Sequence, residues 1–141
     1  MKQIITNSEK ETCVLAKKYA KTLKSGAVIG LTGNLGAGKT VFVKGLASGL
    51  GFKKNITSPT FVIMKPYSLK KGIIKNFVHI DAYRLKSGRD LIAIGAQEYF
   101  SQPRTLTVIE WADRVKKILP KRTKYIKIEI LEDNKRKITL K

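Results

Sequence analysis

The eight residues Gly33-Asn34-Leu35-Gly36-Ala37-Gly38-Lys39-Thr40 are the part of this chain whose types and spacing point most directly to chemistry. They satisfy G-x-x-x-x-G-K-[ST] in full. Glycines at 33, 36 and 38 let the backbone wrap with its N–H groups turned inward, a nest for phosphate oxygens at the start of a helix. Lys39 can then reach the distal phosphates, and the Thr40 hydroxyl can ligate Mg²⁺. Such a site also needs a carboxylate at the end of a neighbouring strand. Two apolar runs end in one: Phe77-Val78-His79-Ile80-Asp81 and Leu106-Thr107-Val108-Ile109-Glu110. Asp81 has the form of a metal ligand, while Glu110 suits contact with Mg²⁺ or orientation of an attacking water. The plainer alternative for each acid is a strand-end charge meeting solvent.

Four neighbouring features read two ways. Thr57-Ser58-Pro59-Thr60-Phe61 offers hydroxyls to a γ-phosphate or a metal, yet it is also an ordinary proline-fixed turn entering a strand. Arg84, three residues past Asp81, suits phosphate neutralisation or pairing with a carboxylate. His79 alternates with Val78 and Ile80, which favours a packed or hydrogen-bonded histidine over a base. Trp111, directly after Glu110, suits the core.

The elements that must position these groups follow from periodicity. Residues 8–24 read as a helix, with Ser8 as N-cap, Glu11 as its capping-box partner, and Val14, Leu15, Tyr19 and Leu23 on the apolar face with Cys13 packed beside them. Residues 27–32 are an almost wholly apolar run, as in a strand covered on both faces. Helical spacing returns over 41–50 and stops at Gly51, a left-handed cap. Residues 61–67 and 73–80 read as two strands about a turn at Lys70-Lys71-Gly72. Residues 88–100 read as helix divided by Gly95, 106–109 as a buried strand, and 125–131 with 137–140 as a hairpin about Asp133-Asn134.

Composition bounds the rest. The 141 residues suit one domain, 1–141, and 43% hydrophobic content supports a core. No run approaches a membrane span and no signal-type segment opens the chain, so a cytoplasmic protein is expected. One cysteine and one histidine make a zinc site untenable. The formal charge of +19 suits polyanions such as RNA, but 23 of the 29 basic residues are lysines scattered along the chain, which is equally a habit of solvated faces. Guanine recognition is disfavoured because Asn134-Lys135-Arg136-Lys137 lacks the Asp of Asn-Lys-x-Asp. There is no Leu-Ser-Gly-Gly-Gln segment of a transporter ATPase.

Taken together, the loop 33–40, Ser58-Pro59-Thr60-Phe61, His79-Ile80-Asp81-Ala82-Tyr83-Arg84-Leu85 and Ile109-Glu110-Trp111 resemble the TsaE (YjeE) family over about residues 5–130. The order and separations agree as well. The resemblance implies a P-loop ATPase required for threonylcarbamoyladenosine in tRNA, acting with the TsaB–TsaD heterodimer, its turnover resetting that complex. It implies an α/β three-layer sandwich with a mixed sheet and antiparallel hairpin additions. It also implies ATP and Mg²⁺ held by the loop 34–40, Lys39 on the phosphates, Thr40, Asp81 and Glu110 at the metal or in catalysis, Thr60 as a switch threonine, Trp111 as a tryptophan important to activity, and Thr12 near the adenine; Trp111 and Arg84 are taken as further nucleotide contacts from their places beside Glu110 and Asp81. Asn34 stands where the family commonly has Asp, and Val41 replaces a frequent second Thr. The competing readings are a basic RNA-binding switch module and a small-molecule phosphotransferase.

Overall fold

The computed structural model describes residues 1–34, 36–53, 56, 63–70 and 72–141. Seven strands, β1 (Lys2–Thr6), β2 (Val28–Thr32), β3 (Met64–Ser68), β4 (Asn76–Asp81), β5 (Thr105–Glu110), β6 (Lys124–Ile130) and β7 (Arg136–Leu140), form one sheet. Its spatial order is β1-β7-β6-β2-β5-β4-β3. The central strands β6, β2, β5 and β4 are parallel, and β3, β7 and β1 add antiparallel edges. The helices are α1 (Glu9–Ala20), α2 (Lys39–Gly49), α3 (Arg89–Ala93) and α4 (Ala96–Phe100), with a 3₁₀ segment at Ala112–Ile118.

Parallel strands are buried on both faces because their crossovers lay helices on each side. Ile29, Leu31, Phe77, Leu106, Val108 and Ile126 pack in the core with α1 and α2. Val28, Val78, Ile80 and Ile109 pack with α3, α4 and the 3₁₀ segment. The result is the expected three-layer α/β sandwich. Alternation then settles where the strand-end acids go: Asp81 shares a face with Phe77, Glu110 shares one with Leu106 and Val108, and Asp81 is the register partner of Glu110. Both acids therefore stand side by side on the α2 face.

Helices of 12 and 11 residues are marginal alone, so their mutual packing decides their stability. A Cβ on Gly45 would lie 2.5 Å from the Cys13 carbonyl oxygen, and one on Gly49 the same distance from that of Lys17. The two helices touch backbone to backbone. The buried face of α1 is accordingly Thr12, Ala16 and Ala20, with small side chains at the contact, and Val14, expected inside, is 47% exposed.

Helix ends differ from expectation in instructive ways. Ser8 Oγ accepts from Glu11 N, but the Glu11 carboxylate accepts from Asn7 N, closing the box one residue early. α1 stops at Ala20 because Lys21, Thr22 and Leu23 donate to carbonyls three residues back, tightening the last turn. Gly51, with φ +91°, is the left-handed residue after α2, and Gly95, with φ +80°, divides α3 from α4. Asp133 and Asn134 both take positive φ in the β6–β7 turn. Strand β1 had no sequence signal: it is a mostly exposed edge defined by pairing with β7. The start of the expected strand 61–67 and Lys71 of the turn lie outside the described residues.

Alanine is the better helix former by about 1 kcal/mol. Even so, Gly45→Ala is expected to destabilise by about 1–3 kcal/mol, because the added methyl meets backbone that cannot move aside. Urea unfolding checks this. A gain in stability would show that α1 and α2 are not in backbone contact.

Candidate functional site

The chain leaves β2 at Thr32 and enters α2 at Lys39, so the glycine loop sits at the C-terminal edge of the parallel strands. A Cβ on Gly33 would lie 2.2 Å from the Ile128 carbonyl oxygen of β6, so only glycine lets the loop pass. Ala37 N donates to Asn34 O at 3.0 Å, closing the loop's own turn. Gly38 occupies the N-cap of α2 and supplies no side-chain acceptor, so the positive end of the helix faces the loop.

Lys39 is buried. Its Nζ donates to Gly33 O at 2.6 Å and Asn34 O at 2.8 Å, and stands 4.0 Å from the centre of the Trp111 ring. Burial lowers its pKa, and the negative charges of Glu110, Asp81 and Asp113 pull the other way.

Glu110 is 3% exposed and both its oxygens are engaged. Oε1 accepts from the Thr40 hydroxyl at 3.1 Å, and Oε2 lies 2.5 Å from His79 Nε2. His79 is wholly buried, and its Nδ1 has no partner among the described residues. A hydrogen on Nδ1 would be stranded, so the favoured tautomer carries it on Nε2 and donates to Glu110. His79 is thus a hydrogen-bonded histidine serving the acid beside it. Asp81 is half-buried, with Oδ1 accepting from Tyr83 N at 3.0 Å. Burial raises its carboxyl pKa; the Tyr83 N–H opposes that rise, Glu110 adds to it, and His79 and Lys39 oppose it.

Trp111 takes φ +59°, a left-handed conformation that costs a side-chain-bearing residue roughly 1–2 kcal/mol. That bend carries the chain off β5 and sets the indole against Lys39 and the Tyr83 ring, whose centre is 5.0 Å away. The Arg114 guanidinium stands 5.4 Å from both ring centres.

Gly36, Gly38, Lys39, Thr40, Asp81, Glu110 and Trp111 come together around one cavity of about 280 Å³. Ala37 is buried behind it, and Asn34 is exposed, contributing its carbonyl to Lys39. Thr12 is not in the cavity lining; its hydroxyl is buried against Thr6 Oγ1 at 2.6 Å and Ser8 O. Arg84 is exposed on the turn after β4, off the cavity wall. Leu35 and Thr60 lie outside the described residues. Glu9 and Tyr83 line the cavity without having been singled out. Tyr83 had a signal in its place two residues after Asp81, whereas Glu9 reads only as an acid in the first turn of α1. Larger grooves, about 500 and 550 Å³, lie beside Phe52 and Lys53 and are lined by lysines without carboxylates, and one of about 720 Å³ lies along Ile130, Leu131, Glu132, Asp133 and Lys135, away from the glycine loop. Size therefore does not select the site.

A glycine loop between strand and helix, a buried lysine at its end, and in-register acids on adjacent parallel strands define a P-loop α/β protein. Residues 6–138 match the TsaE family, "Threonylcarbamoyl adenosine biosynthesis protein TsaE". The chain is 40% identical to the "tRNA threonylcarbamoyladenosine biosynthesis protein TsaE" of Treponema pallidum, covering 96% of this chain and 97% of that protein. It is 37% identical to the protein of that name from Aquifex aeolicus, over 99% and 96% of the two chains. The crystal structure of YdiB from Bacillus subtilis superposes with a TM-score of 0.81 at 34% identity, over 99% of this chain and 83% of that one. The chain belongs to the TsaE family of threonylcarbamoyladenosine biosynthesis proteins.

His79→Leu removes the donor to Glu110 Oε2 at nearly constant volume. It is expected to cost about 1–3 kcal/mol in urea unfolding, the penalty of a buried acceptor left unpaired. Adding Glu110→Gln is expected to recover much of that loss. An equal or greater loss in the double variant would mean that His79 stabilises by packing alone.

Proposed function

We propose that this protein binds ATP with Mg²⁺ and hydrolyses it as a subunit of the machinery that makes threonylcarbamoyladenosine in tRNA. It acts beside a TsaB–TsaD pair, with tRNA as the substrate of the assembly. The observation that carries the reading is the junction of Lys39, Thr40 and Glu110 at the glycine loop. Cytoplasmic work accords with it; no helix among the described residues is long and apolar enough to cross a membrane.

The residues fit the cation. A hydroxyl and two carboxylates, from Thr40, Asp81 and Glu110, are the hard oxygen donors that Mg²⁺ takes. Among the described residues no group of three or more His, Cys, Asp and Glu could form a cage. Mg²⁺ suits such a site because it keeps waters and uses phosphate oxygens instead of an all-protein shell. When bound it would neutralise charge on the phosphates.

The protein's own groups do the rest. The loop N–H groups and Lys39 hold the phosphate chain, and Lys39, already out of water, exchanges two carbonyl partners for phosphate oxygens at little desolvation cost. Glu110, oriented through His79, positions a water in line with the γ-phosphorus. The water oxygen bonds to phosphorus as the bond to the β–γ bridging oxygen breaks, giving ADP and phosphate. Such catalysis is positioning and electrostatics.

Purified protein is expected to hydrolyse ATP only with Mg²⁺, faster with its cognate TsaB–TsaD pair, and at least about 100-fold slower as Lys39→Ala. Phosphate release measured with and without EDTA checks all three. Full turnover by Lys39→Ala would refute the site. Phosphate appearing on an added metabolite would replace hydrolysis by transfer.

A further inference from the structure

The net charge of this chain is unevenly placed. Lysines occur along its whole length, but the ten acidic residues all fall within 9–11 and 81–133, so residues 12–80 hold 12 lysines and neither Asp nor Glu. That stretch builds most of α1 and β4 and all of β2, α2 and β3. The two grooves beside Phe52 and Lys53 lie on it. One is lined by Lys17, Lys44 and Lys53 and the other by Lys53 and Lys70, and Gly51, Phe52 and Lys53 are common to both, so the grooves meet just after α2. All four lysines are exposed, and among the described residues none pairs with a carboxylate. Lys75 Nζ donates to the Lys70 carbonyl at 3.3 Å, which brings a fifth ammonium to that end. The charges are also held in place: α1 and α2 touch backbone to backbone at Gly45 and Gly49, so Lys17 and Lys44 stand on helices fixed against one another.

Like charges gathered along a groove repel one another, and its low-dielectric walls focus their field on whatever enters. A negatively charged strand relieves that repulsion and releases its own counterions on binding. We propose that this groove is an RNA-binding surface in which Lys17, Lys44, Lys53 and Lys70 contact phosphates of a tRNA backbone. The inference deepens the reading above, in which tRNA is the substrate of the assembly, and takes the identity of the RNA from it. The groove itself is independent of the ATP site, because none of its lining residues lines the cavity at the glycine loop. Charge and shape together select the occupant. The lysines come from α1, from α2 and from the segments that follow α2 and β3, so they are spread along a concave path that a single phosphodiester backbone can follow. An anionic bilayer is flat and would meet only the rims. Contacts of this kind position an RNA without reading its bases.

The test is fluorescence anisotropy of labelled tRNA, from low to physiological salt, with the wild type and three variants. The first combines Lys17→Gln, Lys44→Gln, Lys53→Gln and Lys70→Gln. The second changes the same four lysines to Arg. The third combines Lys86→Gln, Lys117→Gln, Lys121→Gln and Lys124→Gln, exposed positions that line neither groove. The first variant is expected to bind at least about tenfold more weakly in low salt, and to lose about one unit per lysine from the slope of log K against log salt. The arginine variant keeps the charge and is expected to bind as the wild type does. The third variant loses the same charge and is expected to change little. Equal weakening in the first and third variants would show that total charge, not the groove, attracts RNA, and would overturn the proposal. So would a wild type that does not bind tRNA. Displacement of the tRNA by phosphatidylglycerol vesicles at equal phosphate concentration would overturn the choice of RNA as occupant. Phosphate release from ATP, which none of these substitutions is expected to alter, tests the ATPase reading separately.

Discussion

The rest of the site depends on one buried carboxylate. Glu110 sits at the end of the central strand β5, with the Thr40 hydroxyl on one oxygen and His79 on the other. A carboxylate withdrawn from water persists only where donors reach both oxygens. Here the donors come from different elements, Thr40 from the first turn of α2 and His79 from β4. The bond pair therefore ties the start of the phosphate-loop helix to two strands and fixes where Lys39, one residue earlier, must stand.

Close backbone contact supplies the complementary constraint. Gly33 lets the loop pass against the Ile128 carbonyl, and Gly45 with Gly49 lets α2 rest on α1. Between these contacts α2 has little freedom to rotate or slide, so the loop presents its N–H groups in a fixed direction. Strain is accepted at Trp111, whose left-handed backbone places an indole over the lysine. Strained residues of this kind concentrate at functional sites, where surrounding packing holds them.

What was legible in the sequence was what local spacing encodes. The glycine loop, the apolar runs ending in Asp81 and Glu110, the split at Gly95 and the final hairpin all announce themselves within a few residues. What was not legible depends on strand order. That Asp81 and Glu110 stand side by side and that His79 donates to Glu110 both follow from the sequence of neighbours in the sheet. The face of α1 was misjudged for a related reason: size argued for Val14, whereas the glycines of α2 admit a face of small residues such as Ala16 and Ala20. Strand β1 was silent because pairing, not composition, makes it a strand.

β2 stands at the middle of the sheet, with the acids of β5 and β4 on one side and β6, β7 and β1 on the other. A crystal structure of the protein with Mg²⁺ and a non-hydrolysable ATP analogue tests the proposed ATP site most directly. The account predicts the phosphate chain in the glycine loop, with the terminal phosphate and cation at Lys39, Thr40, Asp81 and Glu110. A nucleotide bound away from the glycine loop, or with its terminal phosphate away from Glu110, would contradict it.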